Sequence, residues 1–160
     1  MKAHTAAAST LRQFGHAWVA LGLALAVHVA DEATNDFLAL YNPTAAAIRE
    51  RLGGFPFPPA FSFATWLTGL ALIVVAWLAL APFAYRGRRW LLPLATGLSV
   101  VHIANGVGHC LTSLWLGRAA PGVVSSPLLI ASAVWMLTVI RRTRRSDAPR
   151  IPDSFADARG

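Results

Sequence analysis

Charged side chains are scarce in this chain. Asp, Glu, Lys and Arg make up 13% of its 160 residues, against about 25% in an ordinary soluble domain. Acids are the scarcer sign, with seven against fourteen basic residues. A water-facing surface is hard to build from so few charges. Together with 56% hydrophobic residues and a mean hydropathy of +0.52, the shortage excludes a disordered chain and a conventional soluble enzyme. Cysteine is nearly absent. Cys110 stands alone, which excludes a disulfide framework and leaves that residue as a small packing side chain. The net charge of +7 does not point to nucleic acid as a partner, because the basic residues flank apolar runs.

Those apolar runs are what the chain has in place of charge. A membrane-crossing helix needs about 20 mainly apolar residues, and four stretches meet or approach that length, at about 16–40, 63–85, 90–116 and 123–140. They predict an all-α integral membrane protein, a four-helix bundle seated in the lipid bilayer. With four spans, Lys2, Arg12, Arg86, Arg88, Arg89, Arg141, Arg142, Arg144 and Arg145 share one side, and Arg49, Arg51 and Arg118 the other. The positive-inside rule then places both termini in the cytoplasm. Residues 1–15 read as a cytoplasmic N-terminal segment, 16–140 as the transmembrane domain and 141–160 as a basic, disordered cytoplasmic tail. Lys2, Arg12, the apolar run from Ala17 to Val27 and Ala24-Leu25-Ala26 also fit a secretory signal peptide, whose removal would leave three spans. The return of apolar residues at Phe37-Leu38-Ala39-Leu40 favours one continuing helix instead. Between the first two spans, residues 44–52 suit a short helix and Phe55-Pro56-Phe57-Pro58-Pro59 a rigid extended piece. Ala120-Pro121-Gly122 supplies the turn before the last span, and Gly97, Gly106 and Gly108 suit close helix approach.

The few acids sit where they are most expensive. Each carboxylate at a membrane centre opposes insertion by about 2.5–3.5 kcal/mol, yet Asp31 and Glu32 are adjacent inside the first span, with Asp36 toward its outer, interfacial end. At about 100° per residue, His28, Asp31, Glu32 and Asn35 fall on one helix face. The third span repeats the pattern with Ser99, His102, Asn105, His109 and Thr112. Both spans run outward, His28 and His102 lie at similar depth, and the two stripes can face each other in the outer half of the bilayer.

Imidazole and carboxylate together allow two chemistries. Three histidines and a carboxylate suit Zn or non-haem Fe, with His28, Glu32, His102 and His109 as ligands and Asp31, Asn35 and Asn105 behind them fixing the imidazoles. Without a metal, an apolar interior disfavours both charged forms, so Glu32, Asp31 and His28 can exchange a proton as general acid and base. Buried polar residues also act as interhelical hydrogen-bond glue, the reading that suits Ser99, Asn105 and Thr112 best.

His28-Val29-Ala30-Asp31-Glu32 resembles the motif of the HXXEE-domain proteins, small bacterial membrane proteins, with Asp31 where the family usually has its first Glu. Asn105, His109, Pro121-Gly122 and Pro127 resemble a second feature of that family. The resemblance spans roughly residues 16–140 and implies a bacterial inner-membrane location and the same site residues. It implies no particular reaction, since the family has no established activity. The residues favour a membrane enzyme, metal-dependent or acid–base, acting on a lipophilic small molecule. A proton-coupled transporter component is the alternative, but residues 17–27 and 90–98 offer little polar beyond Thr96 for a path to the inner side. A non-catalytic accessory subunit is the third reading.

Overall fold

The structure, a computed structural model, describes residues 2–54, 56 and 58–146. Among these residues it is helical with no strand: α1 (Lys2–Thr34), α2 (Phe37–Arg51), α3 (Phe63–Ala79), α4 (Ala81–Tyr85), α5 (Leu91–Leu116) and α6 (Ser126–Ser146).

α1 is a 33-residue helix without proline, rich in Ala and Leu, the composition that costs least in backbone and rotamer freedom. Its buried residues recur every three or four positions, at Phe14, Ala17, Trp18, Leu21, Ala24, Leu25, His28 and Glu32. One face therefore begins apolar and ends polar. The helix already runs at Lys2, so the segment expected to precede residue 16 belongs to it. It does not continue to Leu40 as expected. Thr34 Oγ1 donates to the Ala30 carbonyl at 2.8 Å and Asn35 Nδ2 to the Asp31 carbonyl at 2.9 Å, local bonds that compete with a further helical turn. Asp36 then adopts φ 57°, ψ 42°, a left-handed conformation that reverses the chain direction. Phe37–Leu40 open α2 instead.

The second expected span is divided as well. α3 stops at Ala79 and α4 resumes at Ala81 because Pro82 has no N–H for the Leu78 carbonyl. α5 matches its expected span closely. α6 starts later than expected and runs on through Arg141, Arg142 and Arg144 to Ser146, so the first part of the expected tail is helical. Residues 147–160 of that tail, and Phe55 and Phe57 of the proline-rich piece, lie outside the described residues.

Among the described residues three helical stretches are long and apolar enough to cross a membrane: Leu11–Thr34, Phe63–Tyr85 and Leu91–Leu116. The expected fourth is not one of them. Its apolar run from Ser126 ends at Arg141-Arg142, just under the usual range of about 17–25 residues. α6 is nonetheless central to the packing. It lies against α1 on one side and α5 on the other, while α1 also packs on α3 and α4. Leu129, Ala133, Met136, Val139 and Ile140 form its buried face.

Small residues set the spacing. A Cβ at Gly106 would stand 2.7 Å from Ile130 Cγ1, so this glycine lets α5 meet α6 closely. Gly97 and Gly108 have nothing within 4 Å and do not serve that purpose, contrary to expectation. Between α1 and α3, Trp18 Nε1 donates to the Trp77 carbonyl and Trp77 Nε1 to the Trp18 carbonyl, both at 2.9 Å, with the rings stacked at 4.7 Å. This reciprocal pair satisfies both buried indoles and fixes the register of α3 against α1.

Candidate functional site

Asp31 and Glu32 are adjacent on α1, so their side chains leave the helix about 100° apart and serve different neighbours. Asp31 turns to the start of α6. Its Oδ2 accepts from the Ser125 backbone N–H at 2.9 Å and from Ser125 Oγ at 2.7 Å, and its Oδ1 from Asn35 Nδ2 at 2.9 Å. It caps α6 from another helix, at the end where helical amide dipoles favour an anion. Glu32, nearly fully buried, turns toward α5, where its Oε1 lies 3.0 Å from His109 Nε2 and 3.6 Å from His28 Nε2.

The hydrogen bonds assign the His28 tautomer. Ser125 Oγ has one proton, and the acceptor-only carboxylate of Asp31 takes it. Toward His28, 2.8 Å away, Ser125 must accept, so Nδ1 carries the imidazole proton. The lone pair is then on Nε2, where Asn105 Nδ2 donates to it at 2.9 Å. His28 Nε2 thus faces Glu32 Oε1 as one acceptor facing another, at a distance too long for a hydrogen bond. A shared cation would relieve that opposition.

The His28 and His109 rings pack edge to face at 4.9 Å. Gly122 closes the site from the turn before α6. It has φ 82°, and a Cβ there would stand 2.8 Å from His109 Cε1 and 3.0 Å from His28 Cε1. Only glycine combines that backbone conformation with contact to both rings. Ser126 Oγ holds the same turn by donating to the Gly122 carbonyl at 2.7 Å.

His28, Glu32 and His109, all buried, each offer one ligand atom within 4.8 Å of the others. Ligand atoms around a tetrahedral Zn, at about 2.0–2.2 Å from it, lie roughly 3.3–3.6 Å apart. The 3.6 Å separation meets this, the 3.0 Å separation is shorter, and all three ligand atoms lie within 4.8 Å of one another. The donor set, two imidazoles and one carboxylate, suits Zn or Fe and leaves positions open for water or substrate.

Residues 18–136 match the family model described as "Protein of unknown function with HXXEE motif". The chain belongs to the HXXEE family. In this HXXEE protein the motif positions divide their work: His28 and Glu32 form the cluster, and Asp31 holds Ser125, which in turn holds His28. No curated protein and no solved structure matches the chain.

Of the four candidate ligands, the structure brings together His28, Glu32 and His109 and leaves out His102. That residue lies two turns below His109 on α5, about 10 Å along the axis. Its Nδ1 is bonded to the Leu98 carbonyl and its ring meets Trp77 edge-on at 5.7 Å. Sharing a helix face does not mean sharing a depth. Asn105 touches His28, and Asn35 touches Asp31 without reaching the cluster. Gly122 was named in the sequence only as part of the turn and of the family's second feature, and Ser125 went unidentified, although an acid as costly as Asp31 requires donors from a neighbouring element and Ser125-Ser126 follow the expected turn.

Proposed function

We propose that this HXXEE protein is a membrane-embedded enzyme whose His28–Glu32–His109 cluster binds Zn or Fe and acts on a lipophilic small molecule. The observation that supports this most is the fixed tautomer of His28. The Asp31–Ser125 pair holds the Nδ1 proton and leaves Nε2 an acceptor, bonded by Asn105 Nδ2 and 3.6 Å from Glu32 Oε1, the tautomer that metal-bound imidazoles require. A bound metal would supply a Lewis acid and a water made acidic at neutral pH. His28, Glu32 and His109 would hold it. The Asn105 amide, now on His28, would be free to orient a polar group of the substrate once Nε2 is occupied. Gly122 and the Phe37 ring, 5.8 Å from His109, keep bulk water off the cluster.

In this reading α6 completes a four-helix bundle as the fourth, short span, both termini are cytoplasmic, and the location is a bacterial inner membrane. The site then lies in the outer half of the bilayer. The buried part of α1 on the inner side is apolar, with Trp18, Leu21, Ala24 and Leu25, which disfavours a proton path across the membrane. A metal-free acid–base enzyme is the second reading, favoured by the 3.0 Å contact of Glu32 with His109, across which a proton can pass.

Elemental analysis of the purified protein separates the two. One equivalent of Zn or Fe, lost in His28→Ala and His109→Ala but kept in His102→Ala, is expected. Absence of metal from folded protein supplied with both metals would leave the acid–base reading.

A further inference from the structure

Beside the cluster, α2 and α3 enclose a second feature that no motif announces. A groove of about 350 Å³ is lined chiefly by Phe37, Tyr41, Phe61, Trp66, Gly69 and Ile73. Its walls are locked. Asn42 Nδ2 donates to the Phe61 carbonyl at 3.0 Å while Phe61 N–H donates to Asn42 Oδ1 at 3.1 Å, and Tyr41 Oη donates to the Pro59 carbonyl at 3.1 Å. These bonds pin the 59–61 segment over the groove and hold the Phe61 ring on Tyr41 at 6.0 Å. Phe37 stacks on both Tyr41 and Trp66, at 5.5 and 5.6 Å, and its ring also lies 5.8 Å from that of His109. The inner end of the groove and the edge of the cluster therefore share one residue. Gly69 and Ile73 are exposed on α3, so the other end opens toward acyl chains.

We infer that this groove seats the tail of a single-tailed lipophilic molecule whose one polar end reaches His109 and Glu32 past Phe37. This rests on the reading of the cluster as the reacting centre. The size limits the occupant. At the lower end of the roughly 300–1,000 Å³ typical of ligand sites, the groove admits one chain and not the paired tails of a phospholipid. The lining favours an apolar tail, since the Tyr41 hydroxyl is already engaged and, among the described residues, only Thr65 and the Trp66 indole N–H add polar groups to the groove. Prior fixing of the walls lowers the ordering cost of binding.

The test uses the full chain in phosphatidylcholine vesicles, titrated with a terminally brominated twelve-carbon alcohol while tryptophan fluorescence is followed. Bromine quenches an indole it touches, and Trp66 is the groove's only one. Saturable quenching is expected, absent in Trp66→Phe and shifted to weaker binding by about tenfold or more in Gly69→Phe, which puts a ring into the groove. A Cβ at Gly69 meets nothing within 4 Å, and an unchanged circular-dichroism spectrum and thermal unfolding midpoint check that the variant folds. His109→Ala should keep the saturable quenching. Quenching that rises linearly with the alcohol and is the same in Gly69→Phe would overturn the inference. So would equal saturable quenching by phosphatidylcholine brominated in its acyl chains. Saturable quenching in a protein that binds no metal would instead refute the metal reading and leave the groove standing.

Discussion

Replacing Ser125 with alanine removes one oxygen that serves both His28 and Asp31. Asp31 keeps two of its donors, the Ser125 backbone N–H and Asn35, so the carboxylate stays satisfied. The loss falls on His28, whose Nδ1–H has Ser125 Oγ as its partner at 2.8 Å and is otherwise buried. Leaving a buried donor unpaired costs about 1–3 kcal/mol. The imidazole can escape that cost by turning or by changing tautomer, and either move removes Nε2 as an acceptor beside Glu32. Loss of a supporting partner of this kind lowers metal affinity by about 10–100-fold, equivalent to about 1.4–2.8 kcal/mol. Competition with a chromophoric chelator measures the affinity, and nitrogen NMR of labelled histidine reads the tautomer directly. Ser126→Ala is the control. Its hydroxyl donates to the Gly122 carbonyl, which still accepts the Ser126 backbone N–H at 3.1 Å, so affinity should stay close to that of the unsubstituted protein. If Ser125→Ala folds and binds metal as tightly as Ser126→Ala, the chain from Asp31 through Ser125 to His28 has no positioning role.

Other substitutions test other parts of the structure. Gly122→Ala should lose metal and destabilise the protein by about 1–3 kcal/mol, because the new Cβ meets both imidazole rings at a positive φ; metal content and thermal unfolding check both effects. Trp77→Phe should cost about 1–2 kcal/mol in detergent unfolding followed by circular dichroism, through loss of its bond to the Trp18 carbonyl and some ring area. Trp18→Phe should cost a similar amount, with the double variant costing less than the sum because the two indoles share one contact. At the bend after α1, Asp36→Ala should destabilise by about 1 kcal/mol and Asp36→Gly should not, since only glycine takes the left-handed conformation freely. Equal behaviour of those two variants would show that the bend is not held in that conformation.

Much of this could be read from the chain. The cost of placing Asp31 and Glu32 in an apolar run singled out that face of α1, and helical periodicity placed His28 and Asn35 on it. Depth counting put His102 level with His28, whereas the structure puts Asn105 and His109 at that level. That count started from assumed span ends, and periodicity fixes an angle around a helix but not which of two residues on one face has a partner at its level. The expected continuity of the first span was also misleading. Phe37–Leu40 continue the apolar composition, but Thr34, Asn35 and Asp36 prefer local side-chain bonds and a left-handed turn to a further helical one. That bend carries Phe37 across to Trp66 and creates the aromatic groove, a feature of tertiary geometry that no spacing along the chain encodes. Ser125 was hidden, and the contact of Gly122 with both imidazoles with it, for a related reason: they act from a turn, where neither helical nor strand periodicity applies.

In the proposed function, His28, Glu32 and His109 hold one metal ion. X-ray absorption at the metal edge of the loaded protein tests it most directly. The expected shell has nitrogen and oxygen ligands including two imidazoles and no sulfur, it keeps both imidazoles in His102→Ala, and no metal edge remains in His28→Ala. A shell that includes sulfur from Cys110, or one that loses an imidazole in His102→Ala and not in His28→Ala, would contradict it.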